Sequence, residues 1–129
     1  MTTFPELFAE VTAQGTGFGH RQHVELTYLA ITRLGQEEAK TLVTEGIRKT
    51  ATDAGVPGKF HVTMTVAWLE LVGHHVAEEP GATFDELVAN NAPLLDKALL
   101  SRFYDPSTLM SDAARNAWTE PDIAPFPWA

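Results

Sequence analysis

Three histidines in two short segments are the residues of this chain best suited to chemistry. His20 and His23 lie in Phe18-Gly-His-Arg-Gln-His-Val24, and His61 lies in Lys59-Phe-His-Val-Thr-Met-Thr-Val-Ala-Trp68. Neutral imidazole is a common transition-metal ligand, and three imidazoles leave an open position for substrate or water. The pattern predicts one mononuclear metal site, with Fe, Cu or Zn as the favoured ions and Mn or Ni as alternatives.

Two helices must bring these histidines together. Apolar residues recur at helical spacing over residues 20–34, with Gly35 as the predicted stop. His20 precedes Val24 by one turn, and His23 extends the neighbouring apolar row, so both rings are expected to face inward. The prediction requires the start of this helix to lie against the segment that contains His61.

The segment that contains His61 is the most apolar of the chain and predicts a central helix over residues 60–77. His61, Thr65 and Trp68 share one stripe of this helix, whereas Thr63 is expected to face water. Thr65 would orient a ligand from one turn beyond His61. A substrate pocket is predicted beside the metal, lined by Tyr28, Met64, Thr65 and Trp68.

The remaining sequence predicts further helices. Thr3 and Thr83 each begin a capping box, which indicates that a short helix follows. A third long helix is predicted over residues 37–54, where Gly46 would either permit close packing or leave room for a ligand. Helical segments are expected at 94–103 and 111–118.

The C-terminal segment cannot be helical, because three prolines fall within residues 120–129. Its apolar residues Ile123, Phe126 and Trp128 indicate an extended tail, residues 119–129, docked on the body. No segment alternates with a period of two. The prediction is an all-α, compact single-domain bundle over residues 1–129, with about four main helices.

Composition narrows the classes of function. The chain has 129 residues, no cysteine, and 17 acidic against nine basic residues, for a net charge of −8. This balance argues against binding to nucleic acid, and the missing thiols exclude disulfides and thiolate metal sites. Neither a signal peptide nor a membrane span is evident, so we expect a cytoplasmic protein that binds no membrane.

Carboxylates could complete a two-histidine site of the non-haem iron type. Glu25, Glu45 and Glu70 are the candidates, and none is favoured by its helical position. Glu70 and His74 are one turn apart and more typical of a surface pair than of a metal site.

The motifs Phe18-x-His20-x-x-His23 and Phe60-His61-x-Thr63-x-Thr65-x-x-Trp68 resemble those of a family of small, mostly actinobacterial helical proteins that are largely uncharacterised. The resemblance covers roughly residues 18–78 and extends to the ending Ala-Pro-Phe-Pro-Trp128. It implies that His20, His23 and His61 form a functional set, and it supplies no reaction.

Three functions remain open from the sequence. The first is a small metal-dependent enzyme for a small organic metabolite, oxidative with Fe or Cu and hydrolytic or lyase-type with Zn. The second is a non-catalytic module that binds or senses a small ligand or a metal. The third is a structural protein with ordinary core histidines. A homo-oligomer is compatible with each.

Overall fold

The computed structural model describes residues 2–13, 15 and 17–126 and contains helices without strands in that part of the chain, which confirms the predicted all-α class. The α-helices are α1 Phe4–Val11, α2 His20–Leu34, α3 Gln36–Asp53, α4 Val62–Glu78, α5 Phe84–Asn90, α6 Pro106–Leu109 and α7 Asp112–Asn116. Short 3-10 helices lie at Pro57–Lys59, Ala92–Leu95 and Lys97–Arg102.

Local signals in the sequence explain where several helices begin and end. The Thr3 hydroxyl accepts a hydrogen bond from the Glu6 N–H at the start of α1. Thr83 and Glu86 form the reciprocal capping box of α5. Gly35 ends α2 with a φ of 87°, a left-handed value that glycine adopts without strain, so α3 follows directly.

Helices α2, α3 and α4 form the centre of the bundle, and α1 packs across α2 and α3. Their facing sides bury apolar side chains, and the most enclosed members are Val24, Leu26, Ala30, Ala39, Val43, Ala67, Leu69, Leu71 and Val72. Ala54, the last residue of the predicted third helix, is exposed just beyond the end of α3.

Gly46 permits close packing rather than making room for a ligand. A Cβ atom built there would lie 2.2 Å from ring carbons of Phe4, which covers this point of α3. The glycine therefore allows the aromatic ring of α1 to approach the backbone of α3.

The C-terminal third differs from the prediction in its helix types. Residues 94–103 are not one α-helix, because Asp96 has an extended backbone and its carboxylate caps the Ala98 N–H. This cap separates the two 3-10 segments. Pro106 begins a short helix between the two segments for which helices were predicted.

The tail packs on the body where it is described. The Ile123 N–H donates to the Phe103 carbonyl at 2.9 Å, and the buried Phe126 ring lies 5.0 Å from that of Phe103. Ile123 itself is 56% exposed and is not one of the docking side chains. Trp128 falls outside the described residues.

The helices of residues 2–13, 15 and 17–126 include none that combines the length and apolar character required to cross a bilayer.

Candidate functional site

His61 caps α4 instead of belonging to it, so the prediction that it lies within the helix is wrong. Its backbone is extended, and its Nδ1 accepts the Met64 N–H at 3.1 Å. Because Nδ1 accepts, the ring proton lies on Nε2, which donates to the Leu109 carbonyl at 2.6 Å. Both nitrogens of this buried ring are therefore engaged by the protein's own backbone.

His20 is the first residue of α2 and is also tied to the backbone. Its Nε2 lies 3.0 Å from the Leu94 carbonyl, which can only accept, so this nitrogen carries the proton of the neutral ring. The ring stands edge-on to Trp68, with centroids 4.5 Å apart. Partial burial lowers the pKa of His20, and its bond to Leu94 opposes that shift.

His23 differs from both. Part of the residue reaches solvent, but its Nε2 is shielded and has no hydrogen-bond partner among the described residues. Its ring centroid is 6.5 Å from that of His20 and 6.3 Å from that of Phe18. Burial, with a smaller contribution from His20, lowers the pKa of His23 to about 4, so the ring is neutral at pH 7.

One pocket brings the three predicted histidines together. Its volume is about 380 Å³, within the range of small-molecule sites. Ten residues from α2, α3, α4 and the segments before them line it: Phe18, Gly19, His20, His23, Ile47, Lys59, His61, Met64, Thr65 and Trp68. The N-terminal ends of α2 and α4 thus open onto one cavity.

The other predicted pocket residues divide into two groups. Met64, Thr65 and Trp68 line the cavity, and the Thr65 hydroxyl donates to the His61 carbonyl at 2.7 Å. Tyr28 lies elsewhere, because its hydroxyl donates to the Ala82 carbonyl at 2.5 Å and its ring packs beside Phe84. Helical spacing alone could not show that this tyrosine turns toward α5.

Four lining residues were missed from the sequence. Phe18, Gly19 and Lys59 precede their helices, where periodicity gives no direction, although all three fall inside the motif segments. Ile47 is an apolar residue of α3, and helical spacing alone does not distinguish a pocket wall from ordinary core.

The three-histidine metal centre does not fit this arrangement. To present Nδ1, His61 would have to lose the bond from the Met64 N–H, and to present Nε2 it would have to lose the bonds to both Met64 and Leu109. The cost is about 1–3 kcal/mol for each buried group left unpaired. Over the described ranges, no three histidine or carboxylate side chains gather as a cluster that could hold a metal ion.

The candidate carboxylates do not complete a site either. Glu45 pairs with Arg48 at 2.9 Å, and Glu70 lies 3.8 Å from Lys40. Partial burial raises the pKa of Glu25. None of these three glutamates lines the pocket. Within the described residues, the pocket is therefore a cavity rather than a chelating cluster.

Thr63 is fully buried, so the prediction that it faces water is wrong. Its hydroxyl donates to the Ala117 carbonyl at 2.8 Å and accepts the Thr119 N–H at 3.1 Å. The C-terminal segments cover this face of α4, which the helical pattern of α4 could not reveal.

No family model, curated protein or solved structure matches this chain. The resemblance to a family of small bacterial proteins accordingly stays a prediction, and the function must be argued from the pocket itself.

Proposed function

We propose that this protein binds a small organic ligand in the pocket at the N-terminal ends of α2 and α4, with His23 as its polar anchor. The observation that carries this proposal is His23, a residue of the pocket lining whose shielded Nε2 lacks a partner among the described residues. Of the functions predicted from the sequence, this is the small-ligand form of the binding module.

A shielded nitrogen without a hydrogen-bond partner, such as His23 Nε2, is rare in folded proteins. Most buried polar groups in folded proteins are hydrogen-bonded, and one left unpaired costs about 1–3 kcal/mol. His20 and His61 avoid this cost through Leu94 and Leu109, but His23 does not. A ligand that pairs with His23 would recover that free energy on binding.

Apolar side chains supply the remaining surface. Phe18 and Met64 are 38% and 37% exposed, respectively, beside the buried Trp68. Covering apolar surface contributes about 25 cal/mol for each Å² removed from water. A ligand with an apolar body and at least one hydrogen-bonding group matches these walls.

A fragment screen by ligand-observed NMR tests this proposal with three proteins. Wild type and His75→Leu should bind the same fragments, since His75 lies outside the pocket lining. His23→Leu should bind the polar fragments about tenfold more weakly, because it loses a hydrogen bond of about 1.4 kcal/mol. The folded state of each variant is checked by its thermal melt.

Two outcomes would overturn the proposal. One is a library in which no fragment binds to the wild type. The other is a set of polar fragments whose affinities are equal in wild type and His23→Leu, since His23 would then not anchor them.

A further inference from the structure

The pocket differs in charge from the protein around it. The chain carries 17 acidic and nine basic residues, yet the described lining contains no aspartate or glutamate. Its charged side chain is that of Lys59, which the lining places beside three histidines. A lining without carboxylates in so acidic a chain favours a ligand of negative charge.

Two helix N-termini add positive potential at the same place. The helices α2 and α4 have 15 and 17 residues. The pocket is lined at the start of α2 by Gly19 and at the start of α4 by His61 and Met64. An α-helix carries about half a positive charge at this end, from N–H groups without partners in the helix. Two such ends at one cavity form a natural surface for an anion.

No acidic residue offsets that potential at either helix, although His61 Nδ1 accepts one N–H of α4. Neither α2 nor α4 has an acidic residue in its first turn, and neither N-cap brings a negative charge. By contrast, α3 begins with Glu37 and Glu38, and α5 begins with Asp85 and Glu86. The acidic residues that stabilise the other helix beginnings are absent from the two that border the pocket.

Further cations surround the segment that carries Lys59. Arg115 donates to the Gly58 carbonyl at 2.6 Å, and the guanidinium of Arg48 lies 5.0 Å from the centre of the Phe60 ring. Arg48 also pairs with Glu45 at 2.9 Å, which offsets its charge. Lys59 is thus the cation of the lining, and Arg115 lies against the neighbouring Gly58.

We propose that the ligand is a small organic carboxylate with an apolar or aromatic body. This inference rests on the proposed function and names the class of ligand that the pocket selects. The carboxylate lies at the end formed by Lys59 and the two helix beginnings, and the body packs against Trp68. A single lysine in the lining suits one negative charge better than a phosphate dianion.

A fragment library of matched triples tests the charge. Each triple shares one apolar body and carries a carboxylate, a primary amide or an amine, as in 3-phenylpropionate, 3-phenylpropanamide and 3-phenylpropylamine. Dissociation constants are measured for wild type, Lys59→Gln, Lys59→Arg and the control Lys40→Gln, whose lysine is outside the lining. Lys59 is exposed, so these exchanges are expected to leave the fold intact.

The carboxylates should bind about tenfold more tightly than the amides, and the amines should bind most weakly. Lys59→Gln should reduce the preference for carboxylate over amide several-fold, while Lys59→Arg and Lys40→Gln retain it. The preference should also shrink as salt is added, because partly exposed charges are screened.

The results separate this inference from the proposed function. If amides bind as tightly as carboxylates in wild type, or if Lys59→Gln leaves the preference unchanged, the inference is wrong while the pocket still binds ligands. If no member of any triple binds, both proposals fail.

Discussion

The face of α4 that the C-terminal segment covers and the pocket beside the first turn of α4 both bury polar side chains, but they treat them differently. Under the C-terminal segment, the Thr63 hydroxyl bonds to Ala117 and Thr119, and the Tyr104 hydroxyl donates to the Thr119 carbonyl at 2.6 Å. In the pocket, the Nε2 of His23 has no partner among the described residues. Partnered groups hold the fold together, whereas an unpartnered one beside a cavity indicates binding.

His61 lies at the boundary between these two regions. Its ring lines the pocket, but its nitrogens serve the helix cap and Leu109. The hydrogen bonds of His61 give it a structural role, and His23 is the residue proposed above to bind a ligand, although the sequence treats the two alike.

The largest effect should come from His61→Ala, which should lower the free energy of unfolding by about 4 kcal/mol. The substitution removes a helix cap, worth about 1 kcal/mol, leaves the buried Leu109 carbonyl unpaired and opens a cavity. Urea denaturation measures it. His23→Leu is the matched variant and should cost less than about 1 kcal/mol, because it removes no hydrogen bond of Nε2. Equal losses in the two variants would erase the distinction between the regions.

Lowering the pH should reduce the stability of the folded protein, because the buried His23 ring resists protonation. The pKa of His23 is about 4 in the folded protein and 6.5 in the unfolded chain. Between these two pH values the unfolded chain therefore binds more protons than the folded protein. Stability therefore falls as the pH drops from about 6.5 to 4, by at most about 3 kcal/mol from this residue. Urea denaturation from pH 7 to 4.5 should show a flatter dependence in His23→Gln than in wild type.

The control for this pH dependence is His75→Gln. Burial also lowers the pKa of His75, but this residue is only half-buried and lies beyond the pocket lining, so its exchange should change the curve less. Identical curves for wild type and His23→Gln would show that the His23 ring is not shielded in solution.

Thr63→Val should destabilise the protein by about 2 kcal/mol, since the Ala117 carbonyl and the Thr119 N–H both lose their partner. Thr27→Val is the matched control, because Thr27 is equally buried but donates only to the His23 carbonyl within its own helix. Its cost should stay below about 1 kcal/mol. Thermal melts of the two variants compare them, and the reverse order would contradict the partnering of Thr63.

The smallest effect concerns metals. Added Zn²⁺, or Fe²⁺ under anaerobic conditions, should leave the melting temperature of the tag-free protein nearly unchanged, because His61 has no nitrogen to offer. A metal bound to the native state would raise stability by mass action. A rise that disappears in His61→Ala would restore the metalloenzyme hypothesis in place of the one proposed above.

Much of the fold could be read from the sequence because its signals are local. The bounds of α2 follow from periodicity and Gly35, and the start of α5 follows from the capping box at Thr83. The 3-10 segments around Asp96 were missed, since a side-chain cap within a leucine-rich run competes with helix formation over only a few residues.

The site was only partly predictable for a related reason. Residue types and spacing select His20, His23 and His61, but their roles depend on carbonyl groups far along the chain, at Leu94 and Leu109. Which histidine nitrogen is left without a partner is a property of tertiary packing, and no local pattern encodes it.

The most direct test is a ¹H–¹⁵N NMR correlation of the histidine ring nitrogens, recorded with and without the tightest-binding fragment from the screen. We predict that the His23 Nε2 resonance shifts on binding, while both His61 nitrogens keep the shifts of a ring protonated at Nε2. A His23 resonance that does not respond to any bound fragment, or a His61 ring that changes its protonated nitrogen on binding, would contradict the assignment of His23 as the anchor.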